Sequence, residues 1–150
     1  MRPTYLDACV IAALLFDEPA SDHVIDEVRS WRSGVIVSDF TSAEVSAAVS
    51  KRVRMKLDDV AAANTRLAAV DRFRASLPVA APTESRDIRA AERLVRAFEL
   101  KLRAPDAIHL AVCLRHDLRL ATLDKKLAHA ARALGVVCIN PAENLGEQKN

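Results

Sequence analysis

Apolar positions along the chain switch repeatedly between two spacings. Thr4-Tyr5-Leu6 is a short run ending at Asp7, after which Val10, Ile11, Leu14 and Leu15 recur at helical intervals, so a strand followed by a helix is predicted. Val24, Ile25, Val28 and Trp31 form one face of a second helix, with Ser21 or Asp22 as its cap and Gly34 as its stop. Val35-Ile36-Val37 reads as a buried strand. Thr41 opens a helix through Val45, Ala48, Val49 and Val53, and Asp58 caps another through Val60, Leu67, Val70 and Phe73, which Pro78 ends.

The second half repeats the scheme. An apolar stretch surrounds Val79, a helix runs from Glu84 or Ser85 to about Leu100, and Pro105 occupies the first turn of a helix from Asp106 to His116. Leu118 to Thr122 predicts a strand, Asp124 to Leu134 a helix ended by Gly135, and Val136 to Ile139 the last strand. This alternation predicts an α/β fold, with helices on both faces of a short, mostly parallel sheet. Residues 1–142 are expected to form one domain and residues 143–150 a polar tail.

With 51% hydrophobic and 28% charged residues, the chain can bury one core, and only three glycines in 150 residues argue against a barrel or sandwich of many turns. Lys plus Arg (22) nearly balances Asp plus Glu (20), so an anionic partner must be held by a local patch instead of bulk charge. Cys9, Cys113 and Cys138 suggest neither a disulfide framework nor a zinc knuckle. Ala8 to Phe16 is the longest early apolar run, short of the roughly 20 residues a membrane span needs. A cytoplasmic protein without membrane contact is the expectation.

Ligands of such sheets bind beyond the carboxyl ends of the strands, which directs attention to four acids. Asp7 ends the first strand, Glu44 follows the second, and Asp106 and Asp124 open two later helices. Singly, each has a plain structural reading: Asp124 as a helix cap, Asp106 as an acid at a positive helix end, Thr41-Ser42-Ala43-Glu44 as a capping box. Asp7 is harder to explain in that way, because no Lys or Arg lies between Thr4 and Phe16 to pair with a carboxylate near the interior. It needs a partner remote in sequence or a bound cation. If the four acids converge, hard oxygen ligands of this kind suit Mg²⁺ or Mn²⁺, and a site of acids alone points to phosphate chemistry.

Four segments carry a resemblance: Tyr5-Leu6-Asp7-Ala8-Cys9-Val10-Ile11, Ala43-Glu44-Val45, Leu102-Arg103-Ala104-Pro105-Asp106-Ala107-Ile108-His109-Leu110-Ala111 and Ala121-Thr122-Leu123-Asp124-Lys125-Lys126-Leu127-Ala128. In order and spacing they resemble the PIN-domain ribonucleases of the VapC toxin type, with the Pro105 to Ala111 block the most specific. The resemblance implies a PIN-like three-layer α/β/α fold and a metal-dependent endoribonuclease using Mg²⁺ or Mn²⁺. It also implies a homodimer neutralised by a cognate antitoxin. Asp7, Glu44, Asp106 and Asp124 match the acidic quartet, with Asp7 and Asp106 as the main metal ligands, and Thr122 matches the hydroxyl residue two before the last acid. Cys9 departs from the Ser or Thr common there, which implies a weaker hydrogen bond to Asp7; as a small buried hydrophobe it needs no role. A PIN-like module that binds RNA or protein without cleaving is the alternative.

Arg103, Lys125 and Lys126 lie within a turn of Asp106 and Asp124 and are candidates for holding RNA phosphates. Arg86, Arg89, Arg93 and Arg96 share one helix face, read as solvated, with Glu92 and Glu99 placed to pair with Arg96 and Arg103. His109, three residues after Asp106, is expected to be a packed, hydrogen-bonded histidine. Trp31, Phe40, Phe73 and Phe98 are expected in the core or an interface.

Overall fold

Five strands, β1 (Thr4–Leu6), β2 (Val35–Ser38), β3 (Ala80–Ala81), β4 (Arg119–Ala121) and β5 (Cys138–Ile139), form a sheet in the computed structural model, which describes residues 1–143. Their order is β3-β2-β1-β4-β5 and every pairing is parallel. Seven helices cover it: α1 (Ala8–Leu15), α2 (Ser21–Ser30), α3 (Asp39–Arg54), α4 (Val60–Ser76), α5 (Ser85–Val95), α6 (Ala104–His116) and α7 (Lys125–Ala133).

Because side chains alternate across a strand, neighbouring residues feed opposite faces of the sheet. Tyr5, Ile36 and Leu120 pack with Leu110 of α6 and Leu127 of α7. Leu6, Val37 and Ala121 pack on the other face with residues of the first four helices, including Val10, Val24, Val45 and Val70. Both faces being buried, the strands read as short apolar runs, and the three-layer α/β/α arrangement follows.

From central β1 the chain winds outward through β2 to β3, then crosses back to β4 on the other side of β1, so the strand order reverses beside β1. That reversal opens the crevice where open α/β sheets take their ligands. The Asp7 N–H donates to the Ala121 carbonyl over 3.0 Å, which carries the β1–β4 pairing one residue past the strand and fixes Asp7 at the edge of this crevice.

Several element ends differ from expectation. α2 stops at Ser30, where the Trp31 N–H closes on the Val28 carbonyl, before Gly34 is reached. Ser38 caps α3, because its extended backbone lets the hydroxyl take the Thr41 N–H at 3.0 Å. Asp59, not Asp58, caps α4, since Asp58 is drawn to Arg52 at 2.6 Å and Arg66 at 3.2 Å. α5 ends at Val95, and the residues expected to prolong it form a separate 3-10 turn, Phe98–Leu100. Gly135 adopts φ +77 after α7, the left-handed conformation expected of it. Glu143 is the one residue of the expected tail within the described chain; residues 144–150 lie outside it. Among the described residues, no helix is long and apolar enough to cross a membrane.

Candidate active site

Asp7 is 7% exposed and occupies the N-cap of α1. Its Oδ1 accepts the Ala8 N–H at 2.6 Å, and its Oδ2 accepts the Thr122 hydroxyl at 2.7 Å and the Cys9 thiol at 3.1 Å. The remote partner that this buried acid requires is therefore supplied by Thr122, the residue directly after β4. Cys9 is more than a small apolar filler, since its Sγ also receives the Leu123 N–H at 3.3 Å. Burial, followed by the charge of Asp7, pushes the Cys9 thiol up to about 12, so it remains an S–H donor at neutral pH.

Glu44 does not form the capping box that its spacing from Thr41 suggests. Thr41 is already inside the helix and its hydroxyl turns to the buried Tyr5 phenol at 2.8 Å, while Ser38 serves as the cap. Freed from the backbone, the Glu44 carboxylate reaches His109, with Oε2 2.5 Å from Nε2. The same Nε2 lies 3.5 Å from Asp7 Oδ1. Asp7, Glu44 and His109 each offer one ligand atom within 4.8 Å of the others.

Asp106 and Asp124 stand outside that cluster and face one cavity of about 560 Å³, lined also by Lys101, Arg103, Lys125 and Lys126. Asp124 caps α7, its Oδ1 accepting the Lys126 and Leu127 N–H groups at 2.8 and 3.2 Å. Burial raises Asp106 above the usual carboxylate range; Arg103, 3.4 Å away, opposes the rise and the charge of Asp124 adds to it. Two links join this pair to the Asp7 cluster. Thr122 donates to Asp7 and accepts the Asp124 N–H at 3.0 Å, and α6 carries Asp106 and His109 one turn apart.

The quartet thus falls into two pairs flanking the carboxyl ends of β1 and β4. Arg103, Lys125 and Lys126 border the Asp106–Asp124 side, where cations can meet a phosphodiester next to the acids. Arg96 pairs with Glu92 as expected, but Arg103 turns to Asp106 instead of Glu99. His109 is buried and hydrogen-bonded, as its sequence context suggests, yet its partner Glu44 and the Tyr5 hydroxyl at 2.7 Å were not foreseen. The available signal was the three-residue spacing from Asp106. Phe98 lies outside the core, at 83% exposure, so of the two expected places, core or interface, the core is excluded.

The family model described as PIN domain matches residues 4–133. Among curated proteins, none matches this sequence. Solved structures of the same fold include VapC20 of Mycobacterium tuberculosis, a sarcin-ricin loop cleaving toxin, at 18% identity and TM-score 0.69, covering 89% of this chain and 96% of that one. The FitAcB structure from Neisseria gonorrhoeae is 20% identical with TM-score 0.63, covering 93% of this chain and 99% of that one. A toxin-antitoxin complex from Klebsiella pneumoniae is 18% identical with TM-score 0.66, covering 92% and 97%. At these identities the likeness carries the fold.

Proposed function

This chain belongs to the PIN domain family, and from that premise we propose that it is a metal-dependent endoribonuclease of the VapC toxin type. The observation that carries the proposal is the placement of ligand atoms of Asp7, Glu44 and His109 within 4.8 Å of one another, with Asp106 and Asp124 joined to them through Thr122 and α6. Among the described residues, no Lys or Arg forms an ion pair with Asp7 or Glu44. A carboxylate-rich set of this kind fits a hard divalent cation, Mg²⁺ or Mn²⁺. Asp7 and Asp106 are assigned as its main ligands, with Glu44 and Asp124 completing the set.

When bound, the cation supplies Lewis acidity toward a phosphoryl oxygen and toward water. The chain's own groups do the rest. Arg103, Lys125 and Lys126 hold the RNA backbone over the cavity, the Arg as a planar fork and the lysines as point charges. Glu44 or Asp124 orients the attacking water in line with the leaving oxygen. Thr122 and Cys9 hold Asp7 Oδ2, while Oδ1 accepts the Ala8 N–H and lies 3.5 Å from His109 Nε2.

RNA as substrate and a protein antitoxin as partner are supported by neighbours that are a sarcin-ricin loop cleaving toxin and a toxin-antitoxin complex. Residues 1–142 acting as one catalytic domain, a homodimer in solution and a cytoplasmic location belong to the same proposal. The test is cleavage of a total-RNA pool with Mg²⁺ or Mn²⁺, beside samples containing chelator and beside Asp106→Asn. Fragments that vanish in both controls are expected. RNA binding without metal-dependent fragments replaces this reading with a non-cleaving binding module.

A further inference from the structure

His109 is 1% exposed, one turn beyond Asp106, with the rings of Phe40 and Tyr5 at 5.0 and 5.5 Å from its own. Both ring nitrogens are engaged. A carboxylate only accepts, so the 2.5 Å contact with Glu44 Oε2 places a hydrogen on His109 Nε2. On the other side, Nδ1 lies 2.7 Å from the Tyr5 hydroxyl. That phenol oxygen receives the Thr41 hydroxyl at 2.8 Å and lies 2.7 Å from Ser38 Oγ; with the ring's single hydrogen on Nε2, Nδ1 accepts and the phenol hydrogen is directed to it. Burial raises the Tyr5 phenol well above its ordinary range, so that hydrogen stays in place.

The hydrogen bonds therefore run in one direction, Thr41 to Tyr5 to His109 to Glu44, and pin α3, β1 and α6 to one another. We propose that His109 is a positioning residue: its Nε2–H, set by the Tyr5 hydroxyl, holds Glu44 Oε2 and presents the other carboxylate oxygen for the divalent cation. Its expected effect on cleavage rests on the nuclease reading, whereas the ring state and the metal affinity do not. The contact also explains why Glu44 leaves the helix N-terminus that its spacing offers. A ring acting as metal ligand would instead need Nε2 stripped of its hydrogen and Glu44 withdrawn from it.

The test uses the full chain. Long-range ¹H–¹⁵N NMR of the imidazole is expected to show His109 protonated at Nε2 and accepting at Nδ1, with and without Mg²⁺. A ring that carries a hydrogen on Nδ1, or one that loses its Nε2 hydrogen when Mg²⁺ is added, overturns the proposal. Calorimetric titration of Mn²⁺ into metal-free protein reads the consequence. His109→Leu is expected to weaken binding about 10- to 100-fold, the usual scale for a group that orients a ligand. His109→Gln, whose amide N–H extends toward the same acceptor, is expected to recover most of that loss. Equal affinity for the parent and His109→Leu, or a folded Gln variant as weak as the Leu variant, overturns it. Neither readout uses RNA, so a protein with this ring state and this affinity pattern that cleaves nothing refutes the nuclease reading alone.

Discussion

Thr122 donates its hydroxyl hydrogen to Asp7 Oδ2 over 2.7 Å, and the Thr122 Oγ1 itself accepts the Asp124 N–H at 3.0 Å. One buried hydroxyl thus joins the acid after β1 to the cap of α7. Thr122→Val keeps the shape and removes both bonds, leaving Asp7 with a thiol as its only side-chain donor at Oδ2. A hydrogen bond to a charged group contributes about 1.5–3 kcal/mol, and a loss of that order in urea unfolding is expected, with Thr122→Ser recovering most of it. Cleavage should fall in the Val variant and largely return in the Ser variant.

Asp106 is held above the usual carboxylate range chiefly by burial, with Asp124 adding to the shift and Arg103 opposing it. The sign follows from linkage: the folded state binds this proton more tightly, so the stabilisation is complete below the ordinary value of 3.8 and is lost as pH rises through the elevated one. At pH 7 the ionised group is a burden on the metal-free fold. Asp106→Asn should therefore raise the melting temperature in chelator while abolishing the further rise that Mg²⁺ or Mn²⁺ gives the parent. A metal-induced rise that survives in Asp106→Asn would remove this residue from the ligand set.

Arg115 grips Asp87 through two bonds of 2.7 and 2.8 Å, and reaches Glu84 at 3.1 Å and the Pro82 carbonyl at 2.7 Å, tying α6 to the start of α5. Burial lifts Asp87, but these bonds and the Glu84 N–H outweigh it and hold the carboxyl below its usual range. Stability from the pair is present above pH about 4 and falls as pH drops through the depressed value. Arg115→Leu strands a buried charge, and a loss of about 3–5 kcal/mol at pH 7 is expected. With the arginine gone, burial acts with less opposition, so the variant should gain stability as pH falls from 7 toward 4, a range over which the pair's contribution to the parent stays constant. Urea titrations across that range decide it.

The order of strands and helices is legible because short apolar runs mark the strands, a 3.6-residue period marks the helices, and each element has its own stop. Asp7 stands out as a charge with no neighbour in sequence to pair it, and Asp124 caps α7 as its position predicts. The role of His109 was not legible, because the direction of its two hydrogen bonds depends on Tyr5, which is 104 residues away, and on Glu44, which is 65. Glu44 itself was misread locally for the same reason: a tertiary partner outcompeted the helix N-terminus. Phe98 stands outside the core although its apolar spacing continues that of α5, because the helix ends at Val95 and the 3-10 turn carries the ring into solvent.

Cys9 stands between two readings that chemistry can separate. Its thiol lies 3.1 Å from Asp7 Oδ2, and burial with the Asp7 charge raises it to about 12 from an ordinary value of 9.0. The reactive thiolate is therefore scarce, and iodoacetamide at pH 8 should leave the Cys9 peptide unmodified in folded protein and label it in urea, read by mass spectrometry. The proton held by the folded state gives stability that is complete below pH 9 and declines as pH rises toward 12, a decline that Cys9→Ser should remove. Serine is also the stronger donor, so Cys9→Ser should bind Mn²⁺ as tightly as the parent or several-fold more so, and Cys9→Ala less tightly. If the Ala variant binds Mn²⁺ as well as the parent, the thiol contributes only volume, and Thr122 alone orients Asp7.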